Sequence, residues 1–325
     1  MYVRNPAEVF APEGRIGRFM AARDRTTTEF PLRPPFDGAG LFAFFGARSL
    51  PGVEIAGGDF YERTFADGPG GAPGGRRRAG TVRVSLRRHG RPHSLSLEFP
   101  SWALLDPLST RVSRLFDLSA NPRAIGRVLS KDPLLAPLVA RRPGLRVPGA
   151  WDPFEVAVRA VLGQQISVAG ARTLAGRLVA LCGRPLPSRL ARPGLTHVFP
   201  SPGDIAEADV ARIGLPRARA AALKAFARAV ADRSFRLEAP NGLPDFEARL
   251  TDLPGFGPWT AHVIALRAFG EGDAFPAGDL GLVKALERAG VTKSRIAARA
   301  ERWRPYRAYA TLHLWASLVD GKGGG

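Results

Sequence analysis

The chain has 325 residues, of which 45% are hydrophobic, so it can bury a substantial core and form two or three domains. Its 47 Lys and Arg against 29 Asp and Glu give a net charge of +18, which favours a polyanionic partner such as nucleic acid. An Arg-rich chain with much Ala, Gly and Pro can also reflect genome bias, so charge alone leaves both explanations open. The single cysteine, Cys182, excludes a disulfide framework, a four-cysteine iron–sulfur cluster and the usual structural zinc site.

The amino-terminal third of the sequence predicts an antiparallel sheet that follows a loose extension. Residues 1–30 mix charge, Gly and Pro and are predicted to be loosely ordered. Apolar side chains then alternate with polar ones over 81–88 and 93–99, with a hairpin turn at 88–92 and a flexible basic loop at 67–78. No segment reaches membrane-spanning length, so we expect a cytoplasmic protein without a membrane partner.

Beyond Pro107 the apolar spacing becomes helical and remains so to the end of the chain. Leu108, Val112 and Leu115 share one helix face, for example, and Gly and Pro punctuate the short helices that follow. No repeat of solenoid length is present. The predicted fold class is therefore α+β, with a small antiparallel sheet domain followed by a large all-helical part.

The stretch LPGFGPWTA, residues 253–261, holds more helix breakers than a simple helix connection needs. One helix is predicted to end near Asp252 and another to begin near Pro258, because proline suits the first helical position. Gly255 and Gly257 are expected to allow positive φ and to leave no Cβ in the way. Their N–H groups and the new helix terminus, including Thr260, would form a cradle for an anion such as a DNA phosphate. A plain αα-hairpin with glycine caps is the alternative.

Two further segments attract attention because of their polar residues at helix boundaries. Asp279 opens a helix after a Pro-Ala-Gly turn, where an Asp is most often a simple N-cap. In VLGQQISVAG, Gly163 ends one helix and Ser167 can cap the next, so Gln164 and Gln165 are predicted to be exposed at a tight turn. Paired glutamines also occur where a turn simply faces solvent.

The hairpin, the Gly/Pro-rich loop and the Asp together resemble the helix–hairpin–helix DNA glycosylase superfamily. Segments between about residues 34 and 317, among them RLFDLSANP and ERWRPYRAYATLHLW, resemble the bacterial inducible 3-methyladenine-DNA glycosylase II. The resemblance implies a sheet domain similar to half of the TATA-box-binding fold and two all-α domains with the active site between them. We assign these domains to 31–125, to 126–152 with 272–321, and to 153–271, followed by a tail at 322–325.

The resemblance implies a monofunctional glycosylase that excises alkylated bases, of the 3-methyladenine and 7-methylguanine type, from duplex DNA in base excision repair. Asp279 would stabilise the cationic sugar or orient the attacking water. Bifunctional members carry a Schiff-base lysine where this chain has Trp259, and an indole cannot form an imine, so no lyase step is expected. No cofactor is required, and we expect a monomer that acts on double-stranded DNA at the nucleoid.

The resemblance also assigns the remaining site residues. Trp259, Trp315 and Phe44 match the aromatic residues of the base pocket, although Val263 and Leu280 replace tyrosines of the family's best-known member. Gln165, with Gln164, matches the wedge that fills the gap left by a flipped base. Backbone carbonyls in the hairpin are expected to hold a monovalent cation, and these belong to Thr251, Leu253 and Phe256.

Two other functions remain open at this point. One is a glycosylase for deaminated or oxidised bases, which the altered pocket would permit. The other is a non-catalytic DNA-binding protein that keeps the hairpin as an anchor. Asp279 argues against the second, because a pure binder does not need a carboxylate beside the phosphate backbone, where it would repel DNA.

Overall fold

The amino-terminal part of the chain folds into a five-stranded antiparallel sheet in a computed structural model that describes residues 26–67, 78–87, 93–100 and 105–320. The strands lie in the order β1-β5-β4-β3-β2. Their bounds are Thr26–Pro31 for β1, Glu54–Gly57 for β2, Phe60–Asp67 for β3, Arg78–Arg87 for β4 and Ser94–Phe99 for β5. The predicted turn at 88–92 and the interior of the basic loop lie outside the described residues, as do residues 1–25.

The register of the sheet confirms the alternation found in the sequence and corrects the extent of the amino-terminal extension. Val84 lies opposite Leu97 in the β4–β5 pair, and both side chains are fully buried. The predicted loose extension is too long, because Thr26–Pro31 form an edge strand that pairs with β5. Threonine-rich segments suit a pleated edge of this kind, and Phe30 there lies opposite Leu95.

Two helices cover the sheet and complete its hydrophobic core. Helix α1, Gly38–Arg48, begins at Asp37, whose carboxylate accepts a hydrogen bond from the Gly40 N–H. Helix α2, Leu105–Leu115, packs its apolar face into the same core. The rings of Phe42 and Phe116 meet there with centroids 5.5 Å apart. Arg159 and Arg172, from the helical part of the chain, donate to the backbone carbonyls of Arg48 and Ser49 and so fix the carboxy-terminal end of α1 beside it.

The rest of the described chain is helical, with its own continuous hydrophobic core. The helices are α3 Pro122–Leu129, α4 Ala136–Arg141, α5 Pro153–Leu162, α6 Val168–Cys182, α7 Pro202–Glu207, α8 Arg217–Ala231, α9 Leu243–Thr251, α10 Pro258–Ile264, α11 Leu280–Arg288, α12 Ile296–Ala300 and α13 Arg307–Asp320. A short ribbon pairs β6, Arg184–Pro185, with β7, His197–Val198. Within the described ranges, no helix combines the length and apolar character needed to cross a membrane.

A buried ionic network joins the sheet domain to helix α5. Arg63 of β3 contacts Glu54 at 3.1 Å and Glu155 of α5 at 2.6 Å, and Arg159 contacts the same two carboxylates at 2.9 and 3.2 Å. Burial alone would raise the pKa of Glu54, but Arg159 and Arg63 lower it to about 2. The network therefore stays ionised and fixes α5, which forms one wall of the site described below, against the sheet.

Candidate active site

The hairpin between α9 and α10 has the predicted boundaries, since α9 ends at Thr251 and α10 begins at Pro258. Phe256 anchors the loop, because its buried ring packs 4.7 Å, centroid to centroid, from Phe226 of α8. Gly255 has φ +85°, and a Cβ on it would lie 2.8 Å from the Ala222 Cβ, so both conformation and space require glycine.

The positive φ predicted for Gly257 is wrong. This residue is extended, with φ −124° and ψ 176°, and an added Cβ would meet nothing within 4 Å. Its Cα therefore faces open space on the outer side of the hairpin. The fold does not require glycine at this position, and the missing side chain leaves room for an approaching molecule.

The hairpin presents unsatisfied backbone donors to that open space. In the described part of the chain, the N–H groups of Gly255, Gly257, Trp259 and Thr260 donate to no backbone or side-chain acceptor. The Thr260 side chain is buried, and its hydroxyl accepts a hydrogen bond from Gln164 at 3.3 Å. Such clustered donors at a helix start attract anions.

Asp279 is both the N-cap of α11 and the acceptor for two indoles. Its Oδ1 accepts from the Leu282 N–H and from Trp315 Nε1, each at 2.8 Å. Its Oδ2 accepts from Trp259 Nε1 at 3.1 Å. The structure thus brings together three of the predicted site residues, and the tryptophans point their N–H edges at the carboxylate. Hydrogen bonds of this kind to an ionised acceptor fix its orientation.

A cavity of about 150 Å³ opens beside Trp259, between α1, α5, α6 and α10. Cavities of about this size hold a benzene-sized ring. Val263 lies next to Trp259 on the α10 wall, while Gly163 and Val168 form the part of the wall nearest the α5–α6 turn. Four arginines also line it, namely Arg48, Arg159, Arg172 and Arg267.

The arginines differ in how many of their donors are already used. Arg159 is neutralised by the two glutamates, and Arg267 donates to the carbonyls of Pro148 and Gly149, each at 3.1 Å. Burial, with Arg159 and Arg48 nearby, lowers the pKa of Arg267 to about 9. Arg48 donates no hydrogen bond to any residue that the structure describes, and burial together with Arg159 lowers its pKa to about 10. The cavity therefore offers unused guanidinium donors.

Of the three aromatic residues that the resemblance placed in the base pocket, only Trp259 lines the cavity, and Trp315, Phe44 and Asp279 do not. The Arg48 guanidinium stacks 3.8 Å from the Phe44 ring centroid, and that of Arg267 lies 5.4 Å away. The ring therefore supports Arg48, which is the group that reaches the cavity wall. The sequence analysis did not identify the four arginines. Three of them lie in three different apolar helices, and only the fold brings them together.

The α5–α6 turn carries the two predicted wedge residues, and they differ in their surroundings. Gln164 is only half-exposed, contrary to the prediction, because its Nε2 donates to the Gly255 carbonyl at 3.0 Å and to the Thr260 hydroxyl. Gln165 is exposed at the tip of the turn, with φ +59°. Ser167 caps α6 as predicted, by accepting the Gly170 N–H.

His262 ties the hairpin helix to the loop that leads to Asp279. Its Nδ1 accepts the Phe275 N–H at 2.8 Å, so the neutral ring carries its proton on Nε2 and donates to Glu247 at 3.1 Å. Burial lowers the pKa of His262, although Glu247 acts in the opposite direction. Both ring nitrogens are occupied, so His262 supports the loop instead of supplying a proton.

Comparisons with known proteins agree with this architecture. Residues 27–152 match the model of the AlkA N-terminal domain, and residues 158–307 match that of the HhH-GPD superfamily base excision DNA repair protein. The solved 3-methyladenine DNA-glycosylase from Archaeoglobus fulgidus shares the fold, with a TM-score of 0.73 and 22% identity over 89% of this chain and 97% of that one.

Sequence relatives are more similar. DNA-3-methyladenine glycosylase 2 of Escherichia coli is 35% identical over 87% of this chain and 94% of its own length. A Mycobacterium tuberculosis protein described as a "probable bifunctional transcriptional activator/DNA repair enzyme AlkA" is 39% identical over 92% of this chain, which spans 58% of that relative's length. On the strength of these matches and the shared fold, the chain belongs to the AlkA family of DNA-3-methyladenine glycosylases, within the HhH-GPD superfamily.

Proposed function

We propose that this protein is a monofunctional DNA glycosylase, which flips alkylated bases out of duplex DNA and hydrolyses their N-glycosidic bond to leave an abasic site. The observation that supports it most directly is the Asp279 carboxylate, which accepts hydrogen bonds from the indoles of Trp315 and Trp259, and Trp259 also lines the base-sized cavity. Capping of α11 requires only a short polar side chain, so it does not by itself account for a negative charge at that point. Family membership supports the same activity.

The chemistry follows from the placement of charge. As the bond to the base lengthens, positive charge develops at the anomeric carbon, and a carboxylate close to that carbon stabilises it. Two opposite unit charges about 4 Å apart interact by about 4 kcal/mol at an effective dielectric constant of 20, which is about 1,000-fold in rate. An N3- or N7-alkylated purine already carries positive charge, so it leaves without an acid catalyst.

We further propose that the protein has no lyase step of its own. Bifunctional members of the superfamily place their Schiff-base lysine at the position of Trp259, and here the indole N–H is engaged with Asp279 at 3.1 Å. An amine nucleophile is therefore missing at this position. Borohydride treatment during turnover is expected to trap no covalent protein–DNA adduct, and a trapped adduct would contradict this part of the proposal.

The hairpin is proposed to grip a DNA phosphate through the four free N–H groups described above. The carbonyls of Thr251, Leu253 and Phe256 lie in the same loop, and we propose that they hold a monovalent cation. Gln164 binds the carbonyl of Gly255 and none of these three, and the Leu253 carbonyl also accepts the Phe256 N–H at 3.1 Å. Carbonyl oxygens suit such ions. Among the described residues, no group of three or more His, Cys, Asp or Glu side chains could hold a metal ion.

The decisive experiment is Asp279→Asn in a single-turnover assay of base release from methylated duplex DNA. Asparagine caps helices as well as aspartate does, so α11 should stay intact while the charge is lost. We expect the rate to fall about 1,000-fold, with affinity for abasic-site DNA equal or improved. Asp252→Asn removes a charge from the hairpin at an exposed position and is the matched control, with an unchanged rate. Equal rates for Asp279→Asn and the wild type would remove Asp279 from the mechanism.

A second substrate class is favoured by the arginines of the cavity. Arg48 has unused donors there, and a neutral deaminated or oxidised base offers carbonyl acceptors that an alkylated adenine lacks. A guanidinium also stabilises the negative charge that a neutral base acquires as it leaves. A hypoxanthine duplex belongs in the same assay, and its release alongside methylated purines would establish the broader range.

A further inference from the structure

We propose that one face of helix α11 is a second DNA-binding surface, on which Lys284 and Arg288 bind phosphates of the damaged strand. The inference rests on the proposed function, because it takes Asp279 as the point that the sugar of the flipped nucleotide reaches. In that complex the hairpin holds the strand on one side of Asp279, and this face of α11 holds it on the other.

Leu280, Lys284 and Arg288 lie on the same face of α11, because they are four residues apart along the helix. All three are exposed, and Leu280, at 78%, is the most exposed large hydrophobic side chain in the described ranges. The opposite face of the helix packs Leu282 and Leu286 into the helical core. The described residues therefore leave the face that begins with Leu280 uncovered.

The two cations on this face have no partner within the described part of the protein. The side chains of Lys284 and Arg288 form no hydrogen bond and no ion pair with any residue that the structure describes. Arg307, by contrast, is paired with Asp273 at 2.9 Å. Glu287 is exposed on the same helix and is also unpaired, so two free cations stand against one free carboxylate. This surplus of positive charge suits a polyanion.

Asp279 connects this face with the proposed active site. Its side chain caps α11, so Leu280 follows it directly, and its Oδ2 accepts the indole N–H of Trp259, the second residue of α10, at 3.1 Å. Helices α10 and α11 therefore both begin beside the same carboxylate. A strand whose flipped sugar meets Asp279 continues in both directions from that sugar, and the hairpin before α10 accounts for only one of them.

The spacing of the cations along α11 suits the phosphates of a single strand. At a rise of about 1.5 Å per residue, Lys284 lies about 7.5 Å and Arg288 about 13.5 Å beyond Asp279 along the helix axis. Phosphates of one strand follow one another at about 3.4 Å along the axis of duplex DNA. A strand that runs along α11 would therefore present phosphates to the two side chains at about two and about four nucleotides from the lesion.

The test measures binding to a duplex that holds a tetrahydrofuran abasic analogue, by fluorescence anisotropy over a series of salt concentrations. The double variant Lys284→Ala with Arg288→Ala should reduce the slope of log Kobs against log salt concentration by about 1.8, because each lost phosphate contact contributes about 0.9. Relative to binding at 1 M salt, each lost contact then lowers the affinity about 8-fold at 0.1 M salt. The matched control is Arg127→Ala with Lys131→Ala, which removes the same two charges, also four residues apart, from exposed and unpaired side chains at the end of α3. It should leave the slope unchanged.

A second measurement locates the phosphates. A single uncharged methylphosphonate replaces each linkage of the damaged strand in turn, on either side of the analogue. Besides the positions that the hairpin contacts, we expect two positions on the other side, about two and about four nucleotides away, to weaken binding by the wild type. The effect at the nearer position should vanish in Lys284→Ala, and the effect at the farther position should vanish in Arg288→Ala.

A slope for the double variant that changes no more than the slope of the control would overturn the proposal. Methylphosphonate effects that persist in both single variants would overturn it as well. The duplexes contain no scissile base, so these outcomes are independent of catalysis. Failure to release any alkylated base would refute the proposed function and leave the binding result intact.

Discussion

Gly257 offers a direct test of the phosphate cradle, because its side of the hairpin is open in the free protein. Gly257→Ala adds a methyl group with no heavy atom within 4 Å, at an extended φ of −124° that alanine adopts without strain. The substitution should therefore raise the free energy of unfolding by about 0.4–1 kcal/mol through the unfolded chain. A bound phosphate would meet that methyl group. Loss of one charge-assisted hydrogen bond is expected to weaken DNA binding by about 1.5–3 kcal/mol, or about 10-fold to 150-fold.

The assay is a titration of abasic-analogue duplex at fixed salt concentration, together with urea unfolding of the same samples. Gly203→Ala, in helix α7, is the matched control. A Cβ at Gly203 would also fit without a clash, since the nearest heavy atom is the Ser201 Oγ at 4.0 Å. This variant should stabilise the protein and leave DNA affinity unchanged. Wild-type DNA affinity for Gly257→Ala would refute the idea that the phosphate approaches this face of the hairpin.

Two further predictions concern the stability of the scaffold. Burial raises the pKa of Asp117 from 3.8 to about 6, so the folded state favours the protonated carboxyl. Its contribution to the free energy of unfolding is fully present below pH 3.8 and is lost as the pH rises through 6. Asp117→Asn keeps the acceptor for Tyr309 and should be more stable by up to about 3 kcal/mol at pH 8, with the gain vanishing near pH 4 in urea unfolding. Arg63→Met leaves Glu54 and Glu155 short of a partner and should cost about 3–5 kcal/mol, measured the same way. An exposed pair such as Arg228 with Glu207 should matter far less, and equal losses would contradict the importance of burial.

The fold could be predicted from the sequence wherever a local residue pattern coincides with burial in the structure. The hairpin boundaries, the β4–β5 strands and the Ser167 cap were all predictable, because each depends on a few adjacent residues. The edge strand at Thr26–Pro31 was missed, since its order comes from pairing with β5, a partner about 70 residues away.

The candidate site was predictable only in part. Asp279, Trp259 and Trp315 were identified through a family resemblance, and their mutual hydrogen bonds follow from three separate elements meeting. The unused donors of Arg48 had no local signal, because an arginine at the end of an apolar helix is usually solvated. Gln164 was assigned to the surface, since nothing in the sequence indicates that its amide reaches the Gly255 carbonyl.

That last contact has a mechanical consequence. The Gln164 amide ties the α5–α6 turn to the hairpin backbone, so the two segments should move together. In the proposed DNA complex, this coupling would shift the deformation to the duplex. A duplex weakened at a lesion deforms at the lowest cost in free energy.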